Sequence, residues 1–130
     1  MKPFVYAILA LAVSVGSLSL GSILLKMGMD RYGTLTAAGM PAFQAFLKTP
    51  QLPAGSVLML VQFAGTLLLF KWGWDASVVI PMLGLSYVIT ALLSKWMLNE
   101  PVGLMRWLGI VLIVAGIFCI ARSVGQAKMP

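Results

Sequence analysis

A chain of 130 residues with 61% hydrophobic and 9% charged side chains and a mean hydropathy of +1.02 excludes an ordinary soluble domain, in which about 25% of residues are charged. Nine basic against three acidic residues give a net charge of +6. The basic residues stand singly at the ends of apolar runs, a pattern of headgroup-level cations rather than of a nucleic-acid face. The lack of histidine and the single Cys119 exclude an intrachain disulfide and argue against a Cys/His metal site.

Charge-free runs cover residues 3–25, 49–70, 76–94 and 107–121. A helix rising about 1.5 Å per residue needs roughly 20 residues to cross a hydrocarbon core of about 30 Å. The reading is therefore an all-α membrane protein, one domain over residues 1–130, with spans at about residues 4–25, 53–70, 76–97 and 102–121, Arg106 snorkelling toward the headgroups. The first run is too long for a signal-peptide core and is followed by Lys26, Asp30 and Arg31, so it is expected to be retained. Four spans put both termini on one side, with Lys2, Lys71, Arg122 and Lys128. Lys26, Arg31, Lys48, Lys95 and Arg106 fall on the other, a balance too even to orient the chain.

In the first span Ser14, Ser17 and Gly21 share a face, and Ser17 with Gly21 forms a small-xxx-small pair. This suits close helix packing, and small hydroxyls can also line a cavity. The connection over residues 31–53 is punctuated by Gly33, Gly39, Pro41, Pro50 and Pro53. Within it, residues 42–47 predict a short amphipathic helix presenting Phe43, Phe46 and Leu47 to the interface or as a lid. Gln62 and Thr66, four apart in the second span, should face inward. Trp72 and Trp74 fit an interfacial belt, or a platform on which a sugar stacks, and Asp75 should cap the third span.

The third span carries Pro81 and Gly84, which predict a bend. Tyr87, Thr90 and Ser94 then form a hydroxyl stripe ending at Lys95. Such a stripe serves either interhelical hydrogen bonds or a polar cavity, and its coincidence with a bend brings the cavity forward. Glu100-Pro101 is expected to open the fourth span, with Pro101 in the first helical turn and Glu100 as a cap or as a partner of Arg106. Gly109 and Gly116, seven apart, make a smooth seam for another helix, including one from a partner subunit.

Several of these elements occur together and in order: Leu24-Leu25-Lys26-Met27-Gly28, Ile80-Pro81-Met82-Leu83, Ser86-Tyr87-Val88, Asn99-Glu100-Pro101-Val102, Arg106-Trp107-Leu108-Gly109 and Ala115-Gly116-Ile117. The set resembles an EamA-type unit of the drug/metabolite transporter superfamily in its four-span form. It is similar to the small subunits of the undecaprenyl-phosphate-aminoarabinose flippase and, more distantly, to the small multidrug resistance family. Small multidrug resistance exporters carry a glutamate in the first span. Matching the terminal lysine of that span to Lys26 puts Leu18 at its position, so the proton-exchange acid is missing here.

The resemblance implies a non-enzymatic, cofactor-free transporter of a bacterial inner membrane. It would work as a homodimer or as a heterodimer with a similar four-span subunit, moving a polyprenyl-phosphate-linked sugar or related lipid between leaflets. Lys26, Tyr87, Thr90, Ser94, Lys95 and Arg106 are the candidate substrate contacts. Ser17, Gly21, Pro81, Gly84, Glu100, Pro101, Gly109 and Gly116 are candidate structural positions. A small multidrug or metabolite exporter and a non-transporting accessory subunit are the alternatives.

Overall fold

The computed structural model describes residues 2–127, with side chains for residues 4–123. Lys128 and the side chain of Lys2, assigned above to the terminal side, lie outside these. Six helices follow in order: α1 (Lys2–Ala37), α2 (Ala42–Leu47), α3 (Gln51–Lys71), α4 (Ala76–Leu83), α5 (Leu85–Met97) and α6 (Leu104–Ala127). With α4 and α5 counted as one interrupted span, four helical segments are long and apolar enough to cross a membrane. Among the described residues there is no strand.

Helix α1 continues 12 residues past the expected end at Leu25, for 36 residues and a length of about 54 Å. The charges at Lys26, Asp30 and Arg31 mark where hydrocarbon ends, which is not a reason for a helix to end. No proline follows in this segment, and single glycines such as Gly28 and Gly33 weaken a helix without breaking it. The chain turns at Gly39, whose φ of +86° is in the left-handed region, and forms α2 where a short helix was expected. There Ala45 is buried while Phe43 and Leu47 remain exposed.

The tightest packing joins α1 to α3, which run antiparallel, and it works through absent side chains. A Cβ on Gly21 would lie 3.2 Å from the Gly55 carbonyl oxygen, and one on Gly28 would lie 2.8 Å from Leu52 Cδ2. A Cβ on Gly65 would lie 2.3 Å from Ser14 Oγ. Positions 14, 21 and 28 repeat every seven residues, the spacing that keeps one seam of a helix against a neighbour at a shallow crossing angle. The expected small-residue face is thus real, with Ser14, Ser17 and Gly21 all buried, and it extends to Gly28. Close approach of this kind lets dispersion hold membrane helices together where lipid supplies no hydrophobic drive. Ala7, Val15, Leu69, Val79 and Leu83 form the apolar cluster that brings α4 against this pair.

The expected bend in the third span is a break at Gly84. The Gly84 N–H donates to the Pro81 carbonyl at 2.9 Å and the Tyr87 N–H to the Gly84 carbonyl at 3.0 Å, so two tight turns replace the regular ladder. A Cβ on Gly84 would come within 2.7 Å of the Pro81 carbonyl oxygen, which makes glycine part of the break. Asp75 stands at the N-cap of α4 as expected. Its backbone carbonyl accepts from Val78 and Val79 at 3.0 Å, while its side chain makes no capping bond.

The fourth helix starts later than expected. Pro101 lies outside the first turn, and the Gly103 carbonyl accepts the first bonds, from Arg106 at 3.0 Å and Trp107 at 3.3 Å. Helix α6 is held loosely: 6% of its apolar stretch is buried, against 28% for α1. Leu104, Met105 and Leu112 are almost fully exposed. On a water-soluble protein such a surface would drive aggregation, and here it is a surface for lipid.

Candidate functional site

Two contacts fix the ends of the bundle. Phe4 stacks on Trp74 with ring centroids 6.3 Å apart, which ties the start of α1 to the α3–α4 turn. At the other end Lys26 Nζ pairs with Glu100 Oε1, which ties α1 to the α5–α6 turn. The Phe4–Trp74 stack and the Lys26–Glu100 pair therefore mark two layers, one at each end of the bundle.

Between these layers the break in the third span opens a cleft. Pro81, Gly84, Ser86 and Tyr87 form one wall, Leu18 of α1 stands beside them, and Ile113, Gly116, Ile117 and Ile120 of α6 close the far side. Its volume is about 470 Å³. Tyr87 is 66% exposed, so its ring stands at an opening toward lipid. Pro81 and Gly84 create the cleft by the same absence of regular hydrogen bonding that breaks the helix. Gly116, whose Cβ would meet nothing within 4 Å, widens it. A second, almost wholly apolar cavity of about 210 Å³ lies at the terminal end, between Phe4, Leu69, Trp74 and Met82.

One hydroxyl holds the inner wall. Ser19 Oγ lies 2.9 Å from the Val15 carbonyl oxygen and 3.2 Å from that of Ser86, so its single proton is shared between α1 and α5. Ser19 is fully buried and Ser86 nearly so. Gln62 and Thr66 point inward only in part. Thr66 is buried, and the Gln62 amide donates to the Thr66 hydroxyl at 3.1 Å on the same helix rather than across an interface.

The charged end is organised around Glu100, and here the structure corrects the sequence reading. Glu100 is neither a helix cap nor a partner of Arg106. Its Oε1 meets Lys26, and its Oε2 accepts from Ser94 Oγ at 2.5 Å. Asn99, at a φ of +53°, reverses the chain after α5, and the Glu100 N–H approaches the Ser94 carbonyl at 3.4 Å. An intervening stretch without helix, residues 101–103, separates Glu100 from α6, so Glu100 is not the N-cap of α6. Lys95 Nζ sits 5.8 Å from the centre of the Trp107 ring, a cation–π distance, and Arg106 is exposed. Among the described residues the Lys26–Glu100 contact is the one ion pair, which leaves Lys95 and Arg106 without carboxylate partners.

The hydroxyl stripe is divided between these two places. Tyr87 is in the cleft, Ser94 is bonded to Glu100, and Thr90 lies part-buried between them without lining the cleft. A Cβ on Gly109 would meet nothing within 4 Å, so that part of the glycine seam of α6 is unfilled within this chain, while Gly116 lines the cleft. Ser19, Leu18 and Ser86 were missed as elements of one site. Only the four-residue step from Ser14 to Leu18 and the adjacency of Ser86 to Tyr87 pointed there, and Ser19 carried no such signal.

Four helices of membrane-spanning length and a cleft that opens at their side describe a multi-pass membrane protein. Among known proteins, the chain is 42% identical over 49 residues to the "Probable 4-amino-4-deoxy-L-arabinose-phosphoundecaprenol flippase subunit ArnE" of Pseudomonas syringae pv. syringae, across 38% of this chain and 45% of that protein. It is 32% identical over 65 residues to the protein of the same name from Sodalis glossinidius, across 48% and 59% of the two chains. The matched stretch spans about half the length of these curated relatives. No family model and no solved structure matches.

Proposed function

We propose that this chain is one subunit of a four-span transporter of the EamA, drug/metabolite type in a bacterial inner membrane, and that it moves a polyprenyl-phosphate-linked sugar or a related lipid between leaflets. The observation that carries the reading is the cleft at the Pro81–Gly84 break, open to lipid at Tyr87. A lipid substrate can leave its tail in the bilayer, so only the headgroup needs a passage. One four-helix chain walls that passage between its broken third span and α6, and a second four-span subunit, identical or similar, would close its open side near Tyr87, with Gly109 leaving an unfilled surface on α6.

The charge layer supports a phosphate-bearing headgroup. Lys26, Lys95 and Arg106 gather at one end, and Ser94 lies seven residues along α5 from Tyr87, about 10.5 Å away. Cations and donors at that separation suit a phosphate held near the interface while the attached group meets the cleft. In this reading Lys26, Tyr87, Thr90, Ser94, Lys95 and Arg106 contact substrate. The names of the similar proteins point the same way. Leu18 in the cleft wall speaks against proton-coupled export of cationic drugs, which needs an acid in the membrane to trade cation for proton.

The test is lipid movement in vesicles. Proteoliposomes containing the protein, alone and with a co-purified four-span partner, should accelerate transfer of a fluorescent polyprenyl-phosphate sugar between leaflets, and Lys26→Ala or Arg106→Ala should slow it. Rates equal to those of protein-free vesicles in both preparations would overturn the reading in favour of an accessory role.

A further inference from the structure

The carboxylate of Glu100 is not held by a helix N-terminus. It follows the C-terminal end of α5, whose last carbonyls carry partial negative charge, and the stretch 101–103 separates it from the positive end of α6. What offsets this is one ammonium, Lys26, and one hydroxyl, Ser94. The turn is built to hold it there, through the left-handed Asn99 and the approach of the Glu100 N–H to the Ser94 carbonyl. Lys26 in turn lies mid-helix on α1, with no other carboxylate in contact. Asp30, one turn further on, is exposed and makes no ion pair among the described residues.

We propose that Glu100 is an intramolecular counter-ion that occupies Lys26 in the empty protein and is displaced by the phosphate of the substrate. The inference rests on the lipid-phosphate reading above and adds the specificity device for its headgroup. A polyprenyl phosphate monoester presents more charge than a carboxylate, and a sugar-linked phosphodiester, with one charge, can still win Lys26 by drawing on Lys95 and Arg106, which have no carboxylate partners among the described residues, as well. A weaker anion, or a neutral lipid, cannot displace Glu100. The pair is only partly shielded, with side-chain exposures of 48% for Lys26 and 29% for Glu100. Partly exposed ion pairs are weak enough to exchange. An occupied lysine lowers apparent affinity by the fraction of molecules in which it is free, so removing the competitor should tighten binding.

The experiment uses the full chain in lipid nanodiscs with three probes: decaprenyl phosphate, inorganic phosphate and uncharged decaprenol. Glu100→Gln keeps the shape and a hydrogen-bond acceptor for Ser94, and Glu100→Ala is the second variant should the first not fold. Decaprenyl phosphate should bind the Glu100 variant roughly three- to tenfold more tightly than the wild type. Decaprenol binding should not change, and Lys26→Met combined with Glu100→Gln should lose the gain. Unchanged or weaker binding to a folded Glu100 variant, with wild-type binding intact, overturns the competition and leaves the lipid reading standing. Tightened binding of inorganic phosphate without binding of decaprenyl phosphate keeps the competition and overturns the lipid reading. Absence of binding by every variant to all three probes overturns both.

Discussion

Gly65 on α3 leaves the space that the Ser14 hydroxyl fills on α1, and a methyl group there would lie 2.3 Å from Ser14 Oγ. Both elements are buried, so neither can give way without moving a helix. Gly65→Ala should destabilise the bundle by about 1–3 kcal/mol, the usual cost of overpacking. Gly33→Ala, in open space on α1, should be neutral or stabilise by up to ~1 kcal/mol. Thermal unfolding in detergent, followed by helix content, measures both, and equal losses would show that the seam is not selective.

Ser19 should matter through its bond across to α5. Ser19→Ala removes a donor shared between the Val15 and Ser86 carbonyls. The expected loss is about 0.6 kcal/mol and at most ~1.7, the range for interhelical hydrogen bonds in membranes. Unfolding titrations with a denaturing detergent would show it. A loss above that range would mean that Ser19 also supports packing around the cleft.

Pro81 should separate stability from transport. Pro81→Ala restores a backbone donor, so the third span should become more regular, with stability equal or higher. The cleft depends on that irregularity, and leaflet transfer should fall by about fivefold or more if the broken helix forms the passage. Amide exchange over residues 76–97 reports the first effect and the vesicle assay the second. Full transport by a straightened span would remove the break from the mechanism.

Gly116 offers a way to plug the site from the other wall. Gly116→Leu adds a side chain where nothing stands within 4 Å and where the cleft is lined. Melting of the single subunit should be unchanged, while leaflet transfer should drop by roughly tenfold, the order expected when bulk occupies a passage built for a headgroup. Cross-linking of Cys119, exposed three residues further along α6, would show whether subunit pairing is altered as well.

The spans were legible because hydrocarbon imposes a length, which the charge-free runs 3–25 and 76–94 met directly, while 107–121 needed residues 102–105 and a snorkelling Arg106 to reach it. The break at Pro81 and Gly84 was legible because a missing donor and a missing side chain are written in the residues themselves. The end of α1 was not. Charges at Lys26, Asp30 and Arg31 report the edge of the bilayer, whereas a helix ends where caps and breakers say so. The partner of Glu100 was also hidden, since Lys26 lies 74 residues away in sequence and meets it only through the packing of three helices. Arg106, six residues on, was the nearer cation and the wrong one.

Helix α1 runs without interruption from the Phe4–Trp74 stack, past the Ser19 contact with the cleft wall, to Ala37 beyond the Lys26–Glu100 pair. Tilting in one piece about the close Gly21–Gly55 crossing, a rod of that kind would act as a lever. The arm from Gly21 to Ala37 is about 24 Å long, so a tilt of about 10° would carry its tip, and α2 with it, through roughly 4 Å. An opening or closing of the lipid-facing cleft that tilts α1 would thereby be visible outside the membrane, where Arg31 and Lys48 would report it to a protease or a probe that never enters the bilayer.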